Sequence, residues 1–395
     1  MDNKPQEQPQ PVVSTIVSQS FQAKASPTTM RMCPPATLRN WKFHKPLLAV
    51  GNNSGLIQIF DLANKKLYRE LAVHKYSVKG IEWIGLNAFL SYAESQSFQG
   101  NELNWELHVT ELDTGRTVPL KSGKSSENSA IQSVKVSHLR QYFIIIYKND
   151  PFEIWDLDTL SLMRRVPKKF SGIVAAEWNP LYSKQSGASK SNEAGSSSAD
   201  NVPLRENFVV THKTGELFHF SIAGNVVKEI SKIPPESTVT KSVTAIAWKS
   251  DHVILGRSDG TISVWDLGQK ESRAISTMRG PIKRIRYTPG RGNMKILLLF
   301  DDGADIWDVR KYRLISTIIG SGNEVSKLAD ADWAASDKPV ILNSNGSIVV
   351  SDLDFKEFLS SQQANEQSSA IPASASIKEA ANAKQKNLAD PCNLQ

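Results

Sequence analysis

The sequence is poor in cysteine, contains no long hydrophobic run, and carries little excess charge of either sign. Its two cysteines, Cys33 and Cys392, are too few for a disulfide framework or a cysteine-based metal site, and such scarcity is typical of a reducing compartment. The longest apolar stretches, such as Ile296–Phe300, are too short to cross a bilayer. The polar segment Met1–Gln10 lacks the apolar core of a signal peptide. We therefore expect a cytoplasmic protein without a membrane span.

The positive charge is mild, because the net value of +7 is spread over 395 residues. Nucleic-acid-binding proteins of the ribosomal or histone kind are far more basic. The sequence also shows no recognition helix and no exposed platform of aromatic and basic residues. Nucleic acid is therefore a poor candidate partner.

What the sequence does contain is a strand–turn–strand unit that recurs about every 44 residues. The units end in a Trp-Asp pair or its equivalent, and their intervals are 50, 45, 65, 45, 42 and 44 residues. The seven anchor positions are Asp61, Glu111, Asp156, Ser221, Asp266, Asp308 and Asp352. The interval of 65 contains the Ser-rich segment Ser183–Asp200, which cannot bury apolar surface and is predicted to be disordered. Seven modules result.

Each module supplies about four short strands, because a second apolar strand, in most modules ending in an aromatic as in Ile173–Trp178, recurs between the anchors. Four strands per module of this length are typical of a β-propeller blade. The sequence thus predicts an all-β chain with a single seven-bladed WD40-type β-propeller and disordered tails. Met30–Cys33 is the expected inner strand of the first blade, and either Phe355–Leu359 or Val12–Val17 the outer strand of the last.

The expected domain boundaries follow from this arrangement. Residues 1–28 form a polar N-terminal flank, residues 29–359 the propeller with a disordered insertion at about 182–203, and residues 360–395 a disordered C-terminal tail. Asp259-Gly260, Asp302-Gly303 and Asn345-Gly346 are expected to supply the positive φ of tight hairpins. The recurring blade positions are predicted to serve packing and turn formation, and they are His74, Trp83, Trp155, Asp156, Trp178, Trp248, Trp265, Asp266, Trp307, Asp308 and Trp333.

The modules are degenerate WD repeats, and several segments are more specific. Met30–Pro35, Glu70–His74 with Val78–Trp83, Lys135–Tyr142, Pro289–Asn293 and Asp302–Asp308 occur in order along the chain. With these segments the chain resembles the second propeller of the WD-repeat protein 11 family, from about Met30 to Leu353. The family pattern has a further propeller before this one and a helical solenoid after it, and the chain matches only the second propeller.

The resemblance implies a cytosolic scaffold that contacts other proteins, including subunits of a complex that tethers vesicles at the trans-Golgi network. It also implies links to ciliogenesis and Hedgehog signalling. Two alternatives stay open: an adaptor for a cargo or transcription factor that acts outside the tethering complex, and a propeller enzyme with its site at the channel mouth. A peripheral location at the trans-Golgi network or on vesicles accompanies the first hypothesis.

Residues 272–300 carry seven basic side chains and no acidic one. These are Arg273, Arg279, Lys283, Arg284, Arg286, Arg291 and Lys295. The stretch could attract an acidic peptide or another anionic surface, or its charges could face solvent and pair between blades. Both interpretations fit the sequence.

The position before the inner-strand aromatic is charged in most modules. Propeller geometry places Glu82, Lys135 and Glu177 on consecutive blades near the channel, so we expect Lys135 to pair with one or both glutamates. Arg286 is expected to pair with Asp332. The alternative is that these groups point into channel water.

Nothing in the sequence predicts catalysis, a cofactor or a metal site. The seven histidines are scattered over different modules without a metal-binding spacing, and no phosphate-binding loop motif occurs. His74 is expected to join a hydrogen-bond network within a blade. A non-catalytic interaction platform is the favoured interpretation.

Overall fold

The computed structural model describes residues 13–24, 26–38, 40–95, 102–124, 129–180, 204–234, 241–290, 292–319 and 327–354. The predicted disordered insertion, the C-terminal tail, the candidate strand Phe355–Leu359 and Arg291 lie outside this part of the chain. All strands, apart from the last residue of the final one, belong to a compact unit that ends at Leu353.

Seven four-stranded antiparallel sheets form the blades, and in six of them the strands follow one another from the channel outward. Blades 1 to 3 comprise β2 (Pro27–Met32), β3 (Leu47–Asn52), β4 (Leu56–Asp61) and β5 (Lys66–Ala72); β6 (Ser77–Trp83), β7 (Ala88–Glu94), β8 (Asn104–Glu111) and β9 (Thr117–Lys124); and β10 (Ile131–Val136), β11 (Tyr142–Tyr147), β12 (Glu153–Asp156) and β13 (Ser161–Arg165). Blades 4 to 6 comprise β14 (Ile173–Trp178), β15 (Glu206–His212), β16 (Leu217–Ala223) and β17 (Val226–Ile233); β18 (Val243–Lys249), β19 (His252–Arg257), β20 (Thr261–Asp266) and β21 (Glu271–Ser276); and β22 (Arg284–Tyr287), β23 (Lys295–Leu299), β24 (Gly303–Asp308) and β25 (Arg313–Ile319). A short 3₁₀ helix, Lys168–Phe170, precedes blade 4.

Blade 7 joins the two ends of the propeller. Its sheet contains β26 (Leu328–Ala335), β27 (Lys338–Asn343) and β28 (Ser347–Asp354), and its outermost strand is β1 (Ser14–Gln22) from the start of the chain. The closing strand therefore overlaps the second sequence candidate, Val12–Val17, but lies further along the chain. The propeller thus includes residues that were expected to belong to the 1–28 flank. The strand has a polar sequence because none of its residues is buried. The outer strands of most other blades are similarly exposed, whereas β25 of blade 6 buries three residues.

The hydrophobic core lies between blades. Strands β3 and β11 are buried along their full length, because each blade has a neighbour on both faces. Each hydrophobic cluster draws on two adjacent blades; the cluster between blades 3 and 4, for example, packs Phe152 against Phe170, Phe208 and Phe220 with ring centres 5.8–6.2 Å apart. This packing explains why strands such as β3 and β11, the second strands of their blades, consist mostly of apolar residues.

Two of the three predicted hairpin glycines adopt the expected backbone. Gly260 and Gly346 have φ of +80° and +93°, which favours glycine strongly. Gly303 does not have a positive φ and instead begins β24. It is required for a different reason, because a Cβ there would lie 2.6 Å from the Ile318 carbonyl oxygen and 2.9 Å from the Arg279 guanidinium.

The closing strand generates a first prediction. Deletion of residues 1–23 removes β1 and exposes the edge of β28, so we expect the melting temperature to fall by roughly 10 °C. Deletion of residues 2–11 alone keeps β1 intact, so the melting temperature should stay unchanged. Differential scanning calorimetry of the two variants measures the difference, and equal melting temperatures would show that β1 does not close the propeller.

Candidate functional site

The inner strands of the blades surround a central opening of about 280 Å³. Most of these strands contain a bulge near their start. Three bulged residues, Thr28, Gln132 and Thr244, donate side-chain hydrogen bonds of 2.6–2.7 Å to carbonyl oxygens at or just before the inner strand of the following blade. These bonds link blades 1, 3 and 5 to blades 2, 4 and 6.

The other end of the inner strand is linked to the preceding blade. The indole nitrogens of Trp83, Trp178 and Trp333 donate to the backbone carbonyls of Arg31, Lys135 and Arg286 at 3.0–3.1 Å. Trp248 differs, since its indole donates to Ser250 of its own blade at 2.9 Å. Three of the predicted packing tryptophans thus hold neighbouring blades together.

The residues that precede these aromatics form a ring of charges. In blade order from 1 to 7 they are Arg31, Glu82, Lys135, Glu177, Ala247, Arg286 and Asp332. The expected pair of Lys135 with Glu177 is present at 2.9 Å, and Arg286 lies 3.6 Å from Asp332. Glu82 does not pair with Lys135, because it forms an ion pair with Arg31 instead.

Arg31 is the residue of this ring that sequence reasoning missed. Its Nε lies 2.9 Å from Glu82, and its Nη1 lies 3.3 Å from Asp332 on the opposite side. Burial opposes the charge on Arg31, but the two carboxylates outweigh it and raise its pKa. Arg31 was not identified from the sequence because Met32 follows it, whereas an aromatic residue follows the corresponding position in most other blades.

The ring lacks a charge in blade 5, where Ala247 stands. There Lys249, two residues further along the strand, donates to the carbonyl oxygens of Thr288 and Asn293 in blade 6 at 2.6 and 2.7 Å. Burial lowers the pKa of Lys249 to about 8. Blades 5 and 6 are thus joined by a buried amine and carbonyl groups in place of an ion pair.

Blade 7 carries the carboxylates that join it to blade 1. Asp330 accepts from the backbone N–H of Met30 at 2.9 Å and Asp332 from that of Met32 at 3.0 Å. Asp330 also pairs with Arg284 of blade 6. Buried carboxylates are stable when such donors surround them.

The basic stretch of the sequence does not form an acid-free surface. Five of its six described side chains lie beside carboxylates from the next hairpin or from blade 7: Arg279 beside Asp302 and Asp305 at 2.6 Å each, Lys283 beside Asp301, Arg284 beside Asp330, Arg286 beside Asp332, and Lys295 beside Asp337. Arg273 instead lies over the Tyr312 ring, 4.5 Å from its centre. Attraction of an acidic partner stays a prediction, and this pairing lowers its expected strength.

The aspartates of the Trp-Asp pairs shape turns. Asp156, Asp266 and Asp308 each accept one or two hydrogen bonds of 2.8–3.2 Å from backbone N–H groups two or three residues further on. Such side-chain acceptors stabilise the turn between the third and fourth strands of a blade. In blade 3, the Trp155 indole donates to the buried Glu153 carboxylate at 3.0 Å.

His74 lies in a buried network of blade 2. Its Nδ1 is 3.0 Å from Glu106 and its Nε2 is 2.7 Å from the Ser91 hydroxyl, while the His108 ring stacks on it with centres 4.5 Å apart. The ligating atoms of His74, Glu106 and His108 lie within 4.8 Å of one another. However, the rings are nearly parallel, at 12°, so their nitrogen lone pairs do not converge on one ion. The arrangement fits a structural hydrogen-bond network.

The charge ring generates a second prediction. Arg31→Met removes the cation beside Glu82 and one of the two cations beside Asp332, and both carboxylates are largely buried, so the free energy of unfolding should fall by about 2–3 kcal/mol. Lys135→Met removes the cation beside one carboxylate, that of Glu177, and should cost less. Urea unfolding of both variants measures the difference, and the triple change with Glu82→Gln and Asp332→Asn should recover most of the loss. A larger loss in Lys135→Met would contradict the bridging role of Arg31.

His74 generates a third prediction. Burial, together with the nearby His108, lowers its pKa to about 4, from 6.5 for an ordinary histidine. The unfolded chain therefore binds this proton at a higher pH than the folded chain, and stability should fall as pH drops from 6.5 to 4. This loss of the free energy of unfolding at low pH, roughly 3 kcal/mol at most, should be absent in His74→Gln. Unfolding curves at several pH values test it, and parallel pH profiles of wild type and variant would contradict it.

None of the helical segments in the described ranges is long and apolar enough to cross a membrane. Comparison with known families shows that residues 40–379 match the family model described as WDR11 second beta-propeller. This match covers the propeller apart from its first two strands.

Curated relatives agree with the family model. The chain is 35% identical to WD repeat-containing protein 11 of Mus musculus and of Homo sapiens over 358 residues, which is 83% of this chain. The protein of the same name from Danio rerio is 35% identical over 361 residues. In each case the chain spans 29% of the relative's length. A seven-bladed propeller with this degree of identity belongs to the WD repeat-containing protein 11 family.

Proposed function

We propose that this propeller is a non-catalytic interaction scaffold that takes part in tethering vesicles at the trans-Golgi network. The proposal rests mainly on one observation, that six ionisable groups near the channel form ion pairs between neighbouring blades. They are Arg31, Glu82, Lys135, Glu177, Arg286 and Asp332. Groups held in this way build a rigid ring. The connecting loops are then the surfaces on which partners are recognised.

Family membership supports the finer part of the proposal. The resemblance implies that the partners are subunits of a vesicle-tethering complex, and that the protein acts in the cytoplasm, peripherally at the trans-Golgi network or on vesicles. Links to ciliogenesis and Hedgehog signalling belong to the same proposal. Because the chain spans less than a third of its relatives' length, we assign it partner binding within the complex rather than the whole tethering activity.

The test relocates the protein within a cell. The chain is fused to a mitochondrial outer-membrane anchor, and the positions of tethering-complex subunits and of trans-Golgi-bound vesicles are recorded by fluorescence microscopy. We expect the subunits to move to mitochondria, and vesicles to follow them. An unrelated seven-bladed propeller on the same anchor is the matched control.

The outcomes separate the proposal from its alternative. Recruitment of a cargo or transcription factor without tethering subunits would support an adaptor that works outside the complex. Failure of the fusion to recruit more tethering subunits than the control propeller would overturn the scaffold proposal.

A further inference from the structure

The loop between β2 and β3 of blade 1 exposes three large apolar side chains. Leu38 is 96% exposed, Phe43 80% and Trp41 61%, whereas isolated exposed apolar residues elsewhere are distributed over several blades. Trp41 is also unusual among the nine tryptophans, all of which lie in the described part of the chain. Seven of the others are buried and Trp265 is half-buried. Such a cluster on one short loop points to a contact with another apolar phase.

The loop is held in shape by its own turns. The backbone N–H of Trp41 donates to the Thr37 carbonyl at 2.9 Å, and that of Phe43 donates to the Asn40 carbonyl at 3.0 Å. The Asn40 side chain in turn accepts from the N–H of Thr37 at 2.6 Å. The apolar side chains therefore project from a folded loop, and little ordering is needed when they bind.

The surroundings of the loop are basic. Lys42 and Lys45 are exposed, and no carboxylate of the described residues lies within 4 Å of either ammonium group. The sequence contains no aspartate or glutamate between Glu7 and Asp61. Asp61 itself is 2% exposed, and its Oδ1 accepts from the backbone of the following turn. The loop itself therefore contributes positive charge and no negative charge to the surface.

Apolar side chains interleaved with lysine fit an anionic bilayer better than a protein surface. Tryptophan, phenylalanine and leucine partition into the interface between headgroups and acyl chains, and each lysine near an anionic leaflet adds attraction. A bilayer accepts a projecting loop of any shape, whereas a protein partner would need a pocket that matches it. Lys42 lies 5.8 Å from the centre of the Trp41 ring, so the charge stays beside the apolar tip.

We propose that Leu38, Trp41 and Phe43, three described residues of the loop between β2 and β3, insert into the interfacial region of an anionic phospholipid bilayer, while Lys42 and Lys45 contact its headgroups. The proposal goes beyond the scaffold function and does not depend on it. A single loop of this size gives weak, reversible binding, which is strengthened when other membrane contacts act together with it.

The test uses vesicles and the complete chain. Vesicles of phosphatidylcholine with about one-third phosphatidylserine should bind the protein in a sedimentation assay, and vesicles of phosphatidylcholine alone should bind it far less. The double variants Trp41→Ser/Phe43→Ser and Lys42→Glu/Lys45→Glu should each lower binding by about tenfold. Higher salt should weaken binding of the wild type.

Matched control variants change exposed apolar residues and exposed lysines at other places on the protein surface. Val226→Ser/Ile230→Ser removes two exposed apolar residues of blade 4, and Lys228→Glu/Lys270→Glu reverses two exposed lysines; both should bind vesicles like the wild type. Circular dichroism and melting temperature establish that each variant is folded. Equal losses in the control and loop variants would overturn the proposal.

Trp41 allows a direct readout of insertion. Brominated phosphatidylcholine quenches tryptophans that enter the acyl region, and only Trp41 of the nine is exposed. We expect quenching in the wild type and none in Trp41→Phe, which should still bind. Absence of vesicle binding, or quenching that persists in Trp41→Phe, would overturn the proposal. If vesicles do not bind but the loop variants lose a protein ligand, the loop is a protein-docking site instead.

Discussion

Among the described residues the seven sheets share no backbone ladder with one another, so side chains that reach from one inner strand to the next do much to join the blades. Near the start of the strand, Thr28, Gln132 and Thr244 bond forward to the following blade. Near its end, tryptophans such as Trp83 bond back to the preceding blade. Packing between blades adds most of the apolar burial, but these directional bonds fix how each sheet is set against its neighbour.

This constraint separates the molecule into two parts. The inner strands have little freedom, because many of their polar groups bond to a carbonyl, an N–H or a charge on another blade. The loops that leave the blades carry fewer such bonds, and loops generally tolerate sequence change better than the elements they connect. Partner recognition is therefore expected at the loops, and among the described residues the loop between β2 and β3 exposes three large apolar side chains close together, those of Leu38, Trp41 and Phe43.

The features that repeat from module to module could be predicted from the sequence, and contacts outside the repeating positions could not. Module length, strand number and the pairs Lys135–Glu177 and Arg286–Asp332 followed from repeating positions. The other partners of the basic stretch did not, because a contact such as Arg284 with Asp330 joins positions that carry no repeating signal and meet only when blade 6 packs on blade 7. Arg31 was not identified because Met32, and not an aromatic residue, follows it.

Exposure was the other property that the sequence could not supply. Trp41 and Phe43 look like ordinary core residues in a list of apolar positions, and only the structure shows that they face outward. The closing strand β1 was hard to recognise for the opposite reason. Its mostly exposed residues resemble a polar tail, although its backbone completes the sheet of blade 7.

The charge ring has a consequence that follows from parity. Charges of opposite sign can alternate without fault around an even number of places, but around seven places two like charges must meet somewhere unless one place is neutral. Ala247 is that neutral place, and it leaves three positive and three negative residues in unbroken alternation around the remaining six. Loss of any one of the six charged residues would bring like charges together or leave a charge unmatched, whereas loss of the neutral place would not. The neutral place is therefore what allows an alternating ring of charges to close in a propeller with an odd number of blades.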